Sequence, residues 1–468
     1  MFSEILTQLA DWQALDTWIA VTGALAAMAC AIPGNFLVLR RQSMMGDALS
    51  HAVLPGIVVA FLVSLWMRQA GWITPATYDA TRHAAMFAGA MVLGVVSALL
   101  TEAVERLGRV ESSAALGVVF TTLFALGLVL IRVAADQVDL DRDCVLYGAI
   151  ETVALDTYGT TGIPRAAIVN FGVLLANLLL VVVFFKELRI TAFDPGLATT
   201  LGIHATGMHY ALMAVTAATL VGAFESVGSI LVIAMLVAPP ATAYLLTDRL
   251  GRMIAISLAV ACLSAVLGHL LALTLPPVVF SRLGFAEKVA GGTAGMMAVA
   301  AGLLFTVAMF VAPRHGLVSK LLARTQLSLR ILGEDLLGLL YRLEELPGEE
   351  AREAAFKFAS QALGAGPAIS WLAFRKLRWD GMVADGAQGM RLTEQGRVSA
   401  KELVRSHRLW ESYLAKHFHL SGDHLHEPAS RAEHYIGSEL RAELSQELEQ
   451  PDLDPHGRSI PGEKPSPG

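Results

Sequence analysis

The chain has 468 residues, of which 54% are hydrophobic and 16% charged, and its mean hydropathy is +0.55. An ordinary soluble domain carries about 25% charged residues, so a purely soluble enzyme and a disordered chain are both excluded. The formal net charge of −6 says little about partners, because the charge is unevenly placed: long apolar blocks run to about Val311, and an ordinary charged sequence follows from Arg314 to Gly468.

The first stretch lacks the basic start of a cleavable signal peptide and is expected to stay in the mature protein. A bilayer core of about 30 Å takes about 20 apolar residues per helix. Nine blocks meet or approach that length, near 15–39, 48–67, 84–107, 114–133, 166–185, 208–224, 226–246, 254–274 and 289–311. The sixth and seventh are separated by the short polar stretch Val221-Gly-Ala-Phe-Glu-Ser-Val-Gly228, which also suits a re-entrant bend, so eight or ten spans stay open. Basic residues of short loops stay in the cytosol. Arg40 and Arg41, Arg106 and Arg109, Lys186 and Arg189, Arg249 and Arg252, and Arg314, Lys320 and Arg324 follow the odd-numbered blocks. That parity places the N-terminus outside and the C-terminal part in the cytosol. The expected fold class is therefore an all-α polytopic membrane protein with about nine transmembrane helices, carrying a mainly α cytosolic domain. Cys30, Cys144 and Cys262 lie far apart with no CxxC pair, which argues against a disulfide scaffold or a cysteine zinc site.

A charge at the bilayer centre costs at least about 2.5–3.5 kcal/mol and commonly marks a pathway. Within Gly46-Asp-Ala-Leu-Ser-His-Ala-Val-Leu-Pro-Gly56, Asp47 and His51 stand four apart. On a helix they share a face, where a carboxylate and an imidazole can ligate one divalent cation. The same spacing also suits a helix-capping Asp47 and a core His51. His269 and Glu225 read as isolated polar residues near span ends, and His204 and His209 as solvated residues of a cytosolic loop.

Leu37-Val-Leu-Arg-Arg-Gln-Ser-Met-Met-Gly-Asp-Ala-Leu-Ser-His-Ala-Val-Leu-Pro-Gly56 resembles the strongest signature of the permeases of bacterial metal-ion ABC importers for manganese, zinc or iron. Phe193-Asp-Pro-Gly-Leu-Ala198 with Leu201-Gly-Ile203, Val227-Gly-Ser-Ile-Leu-Val232 with Ala238-Pro-Pro-Ala-Thr-Ala243, and Ala312-Pro-Arg-His-Gly316 extend the resemblance over nearly all of 15–320. It implies a permease domain over 1–320 in the bacterial cytoplasmic membrane, with Asp47 and His51 as pathway ligands for Mn²⁺, Zn²⁺ or Fe²⁺. It also implies a second permease copy or sister subunit, an extracytoplasmic metal-binding protein and a cytosolic ABC ATPase. The chain is then a transport subunit rather than an enzyme, and it contains no GxxxxGK[ST] phosphate loop and no Gly-Lys dipeptide. ATPase coupling falls on the polar stretch 193–209, with Phe193, Asp194, Pro195, Leu201 and Gly202, although its composition also suits an ordinary connection.

Beyond Gly316 the pattern becomes amphipathic: helices are expected over 329–345, 349–363 and 368–379, with a tight turn at Gly364-Ala-Gly-Pro367 and a glycine-rich hairpin after Asp380. A helix, a turn, a helix carrying Arg375, Lys376 and Arg378, and a hairpin are the parts of a winged helix-turn-helix, here over 325–400. A small helical domain with a solvated basic face has the same composition. His407-Arg-Leu-Trp-Glu411 repeats the i, i+4 pairing, and a helix starting near Pro428 gives Ser430, Glu433 and His434 one face with His426 at its entrance. Such histidine and carboxylate sets suit Mn²⁺, Fe²⁺ or Zn²⁺ better than Ca²⁺.

This half resembles the iron- and manganese-dependent repressors of the diphtheria-toxin-repressor family over 329–461. The resemblance rests on Tyr341-Arg-Leu-Glu-Glu345, Gly366-Pro-Ala-Ile-Ser370, Leu392-Thr-Glu-Gln-Gly396, His407 to Glu411, His426 to His434, and Asp454-Pro-His-Gly457 with Ile460-Pro461. It implies one metal site at Asp335, Ser430, Glu433 and His434 and a second at His407, Glu411 and His426, in a metal-binding and dimerisation domain over 401–468. DNA contacts would fall on Pro367, Ala368, Ser370, Arg375 and Lys376. Ser430 replaces a stronger anionic ligand of the family, Asp335 is the residue type of its manganese-sensing branch, and Trp371 is bulky where a base-reading side chain is expected. Three functions follow as candidates: a metal-importer permease with a metal-sensing cytosolic domain, Mn²⁺ being favoured; a membrane-tethered metal-dependent transcriptional regulator; and a secondary transporter without an ATPase.

Overall fold

The computed structural model describes residues 12–52, 54–134, 150–157, 162–282, 292–345, 367–386, 389–418 and 424–462. Cys144 and the helix expected over 349–363 lie outside them. The chain divides into two compact units, Met1–Ser319 and Lys320–Gly468.

In the first unit eight described helices are long and apolar enough to cross a membrane: Ala14–Leu39, Ala84–Glu105, Ser113–Arg132, Arg165–Val183, Ala205–Phe224, Ser226–Leu246, Leu250–Pro276 and Thr293–Val311. We number the first helix α1 (Ala14–Leu39). Over the second block the described helical residues are α2 (Ser43–Ala52) and α3 (Leu54–Gln69), on either side of residue 53, which lies outside the described residues. The third and fourth blocks are α4 (Pro75–Gly108) and α5 (Ser112–Ala134). The fifth block, α6 (Arg165–Val183), is followed by two short helices, α7 (Phe185–Phe193) and α8 (Pro195–Thr200). The sixth and seventh blocks form one stretch, α9 (Ala205–Leu246), broken in place by Gly228 with φ 76° and ψ 164°. The polar break is thus a kink between two consecutive spans. Helices α10 (Leu250–Arg282) and α11 (Thr293–Val311) complete the unit.

Small residues let α1 pack at the centre: Ala26, Ala27, Cys30 and Ala31 are buried against α9 and α10. Polar side chains join neighbouring helices, Asn35 Nδ2 donating to Ser257 Oγ at 2.8 Å and Asn177 Nδ2 to Thr219 Oγ1 at 2.8 Å. Glycines mark the approach of α1 and α2 to α9, and at Gly34 the approach is to backbone. A Cβ on Gly34 would lie 2.0 Å from the Leu236 carbonyl oxygen, and one on Gly46 would lie 2.0 Å from Leu236 Cδ2. The helix bearing Asp47 and His51 is therefore pressed onto the Val227–Ala243 motif.

The second unit holds most of α12 (Leu317–Glu344), then α13 (Pro367–Trp379), the antiparallel hairpin β1 (Val383–Gly386) and β2 (Gly389–Leu392), α14 (Glu394–Phe418), α15 (His426–Ala432) and α16 (Ser438–Glu447). Leu332, Leu336, Leu340, Ala373, Leu377, Val383, Leu392 and Ala400 form one core. The Leu392-Thr-Glu-Gln-Gly396 motif has a local cause. Thr393 Oγ1 accepts from Gly396 N at 3.1 Å to start α14, and any Cβ at Gly396 would collide with the Met382 carbonyl oxygen at 1.9 Å.

Candidate metal centre

Asp47 and His51 both fall on α2, four residues apart, and their side chains lie outside the described residues, as does that of Glu225. His269 is buried on α10, its Nε2 3.2 Å from Asp16 Oδ1, with Trp12 edge-on at 5.4 Å. His209 corrects the expectation of a solvated loop. It lies within α9, half-buried, because Arg40 at the end of α1 reaches across to it at 3.2 Å and also donates to Thr191 Oγ1 at 3.1 Å. Its neighbour Tyr210 donates to Glu102. His204 is exposed and precedes the first residue of α9.

The coupling candidates sit where two short helices meet. Asp194 is extended and caps α8, its Oδ1 accepting from Leu197 N at 2.9 Å, and Pro195 occupies the first helical position. Leu201 ends α8, and Gly202 turns the chain with φ 80°. Phe193, Leu197 and Leu201 are 63%, 49% and 60% exposed.

In the second unit the i, i+4 pair is buried on α14: His407 Nε2 meets Glu411 Oε1 at 2.9 Å. His426 starts α15, earlier than expected, and its Nδ1 stands 3.0 Å from His407 Nε2 and 3.2 Å from Glu411 Oε1. The other group joins Asp335 of α12 to Glu433 and His434, which lie in a 3₁₀ turn after α15, with His434 Nε2 3.2 Å from Asp335 Oδ1. In each group one donor atom per residue lies within 4.8 Å of the others. Ser430 is half-buried on α15, three residues before Glu433, and contributes a neutral hydroxyl to that part of the chain.

Two neighbours and one cross-link were not legible from spacing. Glu334 Oε2 accepts from His434 Nδ1 at 2.8 Å, Arg342 Nη2 lies 3.7 Å from Glu433 Oε2, and Glu433 Oε2 also accepts from His407 Nδ1 at 2.6 Å. Glu433 thus joins both groups. Buried imidazoles backed by carboxylates are the usual second layer of transition-metal sites, and the excess of carboxylate over fixed positive charge around each imidazole fits a divalent cation. Asp335, Glu433 and His434 would hold one ion, and His407, Glu411 and His426 another.

Protons compete for these positions. Burial alone would lower the His434 imidazole, but the hydrogen bonds to Asp335 and Glu334 more than reverse it and hold it up to about 9. Burial likewise opposes the charged form of His407, whose net shift is upward through Glu411 and Glu433. Burial would raise Glu411, yet the bonds to His407 and His426 hold it at about 2. Because a ligating imidazole must lose its proton, metal affinity is expected to rise with pH up to about 9 at the His434 group, and loading at pH 7 to release protons. Calorimetric titration of the detergent-solubilised chain with Mn²⁺ in buffers of different ionisation enthalpy reads that release. Identical apparent enthalpies in every buffer would contradict it.

Among the DNA-contact candidates, Pro367 begins α13, and its side chain and that of Ala368 lie outside the described residues. Ser370 is half-buried, while Arg375 and Lys376 are exposed. The Arg375 guanidinium lies 5.2 Å from the ring centre of exposed Trp371, and Arg378 pairs with Asp385 of the hairpin at 2.6 Å. Two of the three basic residues on this helix are thus already engaged within the unit.

Residues 14–281 match the model of the ABC 3 transport family, and residues 393–462 that of the iron dependent repressor, metal binding and dimerisation domain. The manganese transport system membrane protein MntD of Bacillus subtilis (strain 168) is 38% identical over 308 residues, which cover 65% of this chain and 95% of that protein. The zinc transport system membrane protein TroD of Treponema pallidum is 38% identical over 314 residues, 66% of this chain and 78% of that protein. Among solved structures, PsaBC from Streptococcus pneumoniae in complex with Fab aligns at 29% identity and a TM-score of 0.51, covering 67% of this chain and 98% of that one.

Proposed function

Because the chain belongs to the ABC 3 transport family, we propose that residues 1–320 are the permease of an ATP-driven importer of a divalent transition metal and that the C-terminal part senses the same ion inside the cell. Mn²⁺ is the favoured cargo, with Zn²⁺ and Fe²⁺ sharing the same donors; one relative is named for manganese and another for zinc. The observation that carries this reading is the pairing, in one chain, of this permease family with a repressor-type metal-binding unit whose histidines and carboxylates converge in two groups built around buried His407 and His434.

The remaining parts follow from it. Asp47 and His51 ligate the ion in the pathway. The exposed Phe193 and Leu201, around the turn made by Asp194, Pro195 and Gly202, dock on a separate ATPase, since the sequence has no phosphate loop. An extracytoplasmic binding protein delivers the ion, and a second permease copy or a sister subunit completes the pathway. The protein is a multi-pass component of the cytoplasmic membrane with its N-terminus outside and its sensor in the cytosol. Asp335, Glu433 and His434, with Ser430 beside them, and His407, Glu411 and His426 form the sensor. The domain bounds are 1–320, 325–400 and 401–468.

Coupling between two binding sites is typically worth about 5–150-fold. Uptake by the full chain is therefore expected to fall about tenfold as cytosolic metal accumulates, whereas a chain lacking 325–468 keeps its rate. Radiometal uptake over a range of preloaded metal checks this. An identical response of both chains would remove the regulatory role while leaving the permease reading intact.

A further inference from the structure

Resting on the reading that His407, Glu411 and His426 hold one metal ion, we propose that His456 is a further ligand of that ion, so that the turn Asp454-Pro-His-Gly457 closes the site with a third imidazole. Three protein donors leave a transition-metal ion with at least one open position. The open side is at the mouth, where the His426 side chain is 61% exposed while those of His407 and Glu411 are buried. Both histidine nitrogens gather at Glu411 Oε1, and the other oxygen, Oε2, faces His456 Nδ1 at 3.7 Å. Two donors about 2.0–2.1 Å from one tetrahedral ion lie about 3.3 Å apart. The separations of 2.9, 3.0 and 3.2 Å among His407, Glu411 and His426 lie close to that value, and His456 approaches the shared carboxylate at its other oxygen, 3.7 Å away.

The turn is fixed without any help from the imidazole. Asp454 Oδ1 accepts from His456 N at 2.9 Å and Arg458 N at 2.7 Å, and Asp454 N donates to the Arg458 carbonyl at 2.8 Å. Asp454 Oδ2 lies 3.6 Å from Arg408 Nε, and Arg408 also donates to the Ser459 carbonyl and pairs with Glu345. Arg408 stands on α14 between His407 and Glu411, so the helix that bears two ligands also anchors the turn over them. Asp454 lies near the donor atoms of Glu411 and His456, but both its oxygens are engaged by Arg408 and backbone N–H groups. It therefore holds the turn, and the half-exposed His456 supplies the donor. A second ion centred on Asp454 would sit beside the Arg408 guanidinium and share Glu411 with the first, which Coulomb repulsion disfavours.

The test uses the full chain in detergent, with His434→Ala to remove the other group and Co²⁺ as the probe, whose visible bands report coordination. The parent is expected to bind one Co²⁺, and His456→Gln to bind it about tenfold or more weakly with an altered visible spectrum, at unchanged metal-free thermal stability. Equal affinity and spectrum in the variant would overturn the inference, as would two Co²⁺ per parent chain with one lost in the variant. No Co²⁺ on the parent would overturn the reading of the three-residue site and this inference with it. If His456→Gln unfolds the protein, X-ray absorption of the Co²⁺-loaded parent decides: three imidazoles support the assignment, and two refute it.

Discussion

Metal uptake should drop to background when Asp47 and His51 are both replaced by alanine, in cells that lack other importers and express this chain with its ATPase and binding protein. The expectation rests on charge. A divalent ion crossing an apolar unit needs an anionic donor near its path, and on α2 Asp47 supplies a carboxylate with His51 one helical turn away. The helix packs closely at Gly46, where an added Cβ would lie 2.0 Å from Leu236 Cδ2. Asp47→Asn alone keeps size and hydrogen bonding but removes the charge, so it should already cost most of the rate; His51→Gln should cost less. Radiometal influx, normalised to membrane-inserted protein, reads all three variants, and competition among Mn²⁺, Zn²⁺ and Fe²⁺ in the unmutated chain names the cargo. Uptake by the double variant at the unmutated rate would move the pathway away from α2.

The membrane unit was legible because apolar block length is a property of consecutive residues. Its helices appear where the blocks lie, and Gly228 marks the break that the polar stretch announced. His209 escapes such a pattern: its half-buried state depends on Arg40, which is 169 positions away and invisible to any local pattern. The same division runs through the candidate metal centre. His407 and Glu411 share one helix face and could be paired from spacing, whereas Glu334, Arg342 and His456 reach the groups from other elements. Periodicity shows which residues share a face, and family motifs supplied the partners across elements, but neither reveals a carboxylate that serves two groups at once.

That carboxylate, Glu433, carries the second large expectation. Its Oε2 accepts from His407 Nδ1 at 2.6 Å, while its place beside Asp335 and His434 makes it a donor for the other ion. Glu433→Ala should therefore remove metal from the Asp335 group and weaken the His407 group by about 10–100-fold, the usual cost of losing the carboxylate behind a ligating histidine. Asp335→Ala touches only the first group and should leave the second within a few fold. The two variants thus separate a shared residue from a private one. Equilibrium dialysis of the full chain with Mn²⁺ gives stoichiometry and affinity for each, and the metal-free unfolding temperature controls for the Arg342 partner left at 3.7 Å from the missing oxygen. If the second group keeps its affinity in Glu433→Ala, the two ions are independent and a graded sensor response must arise elsewhere. If it falls as expected, loading of the Asp335 group competes for the carboxylate that orients His407, and the two occupancies cannot be set separately.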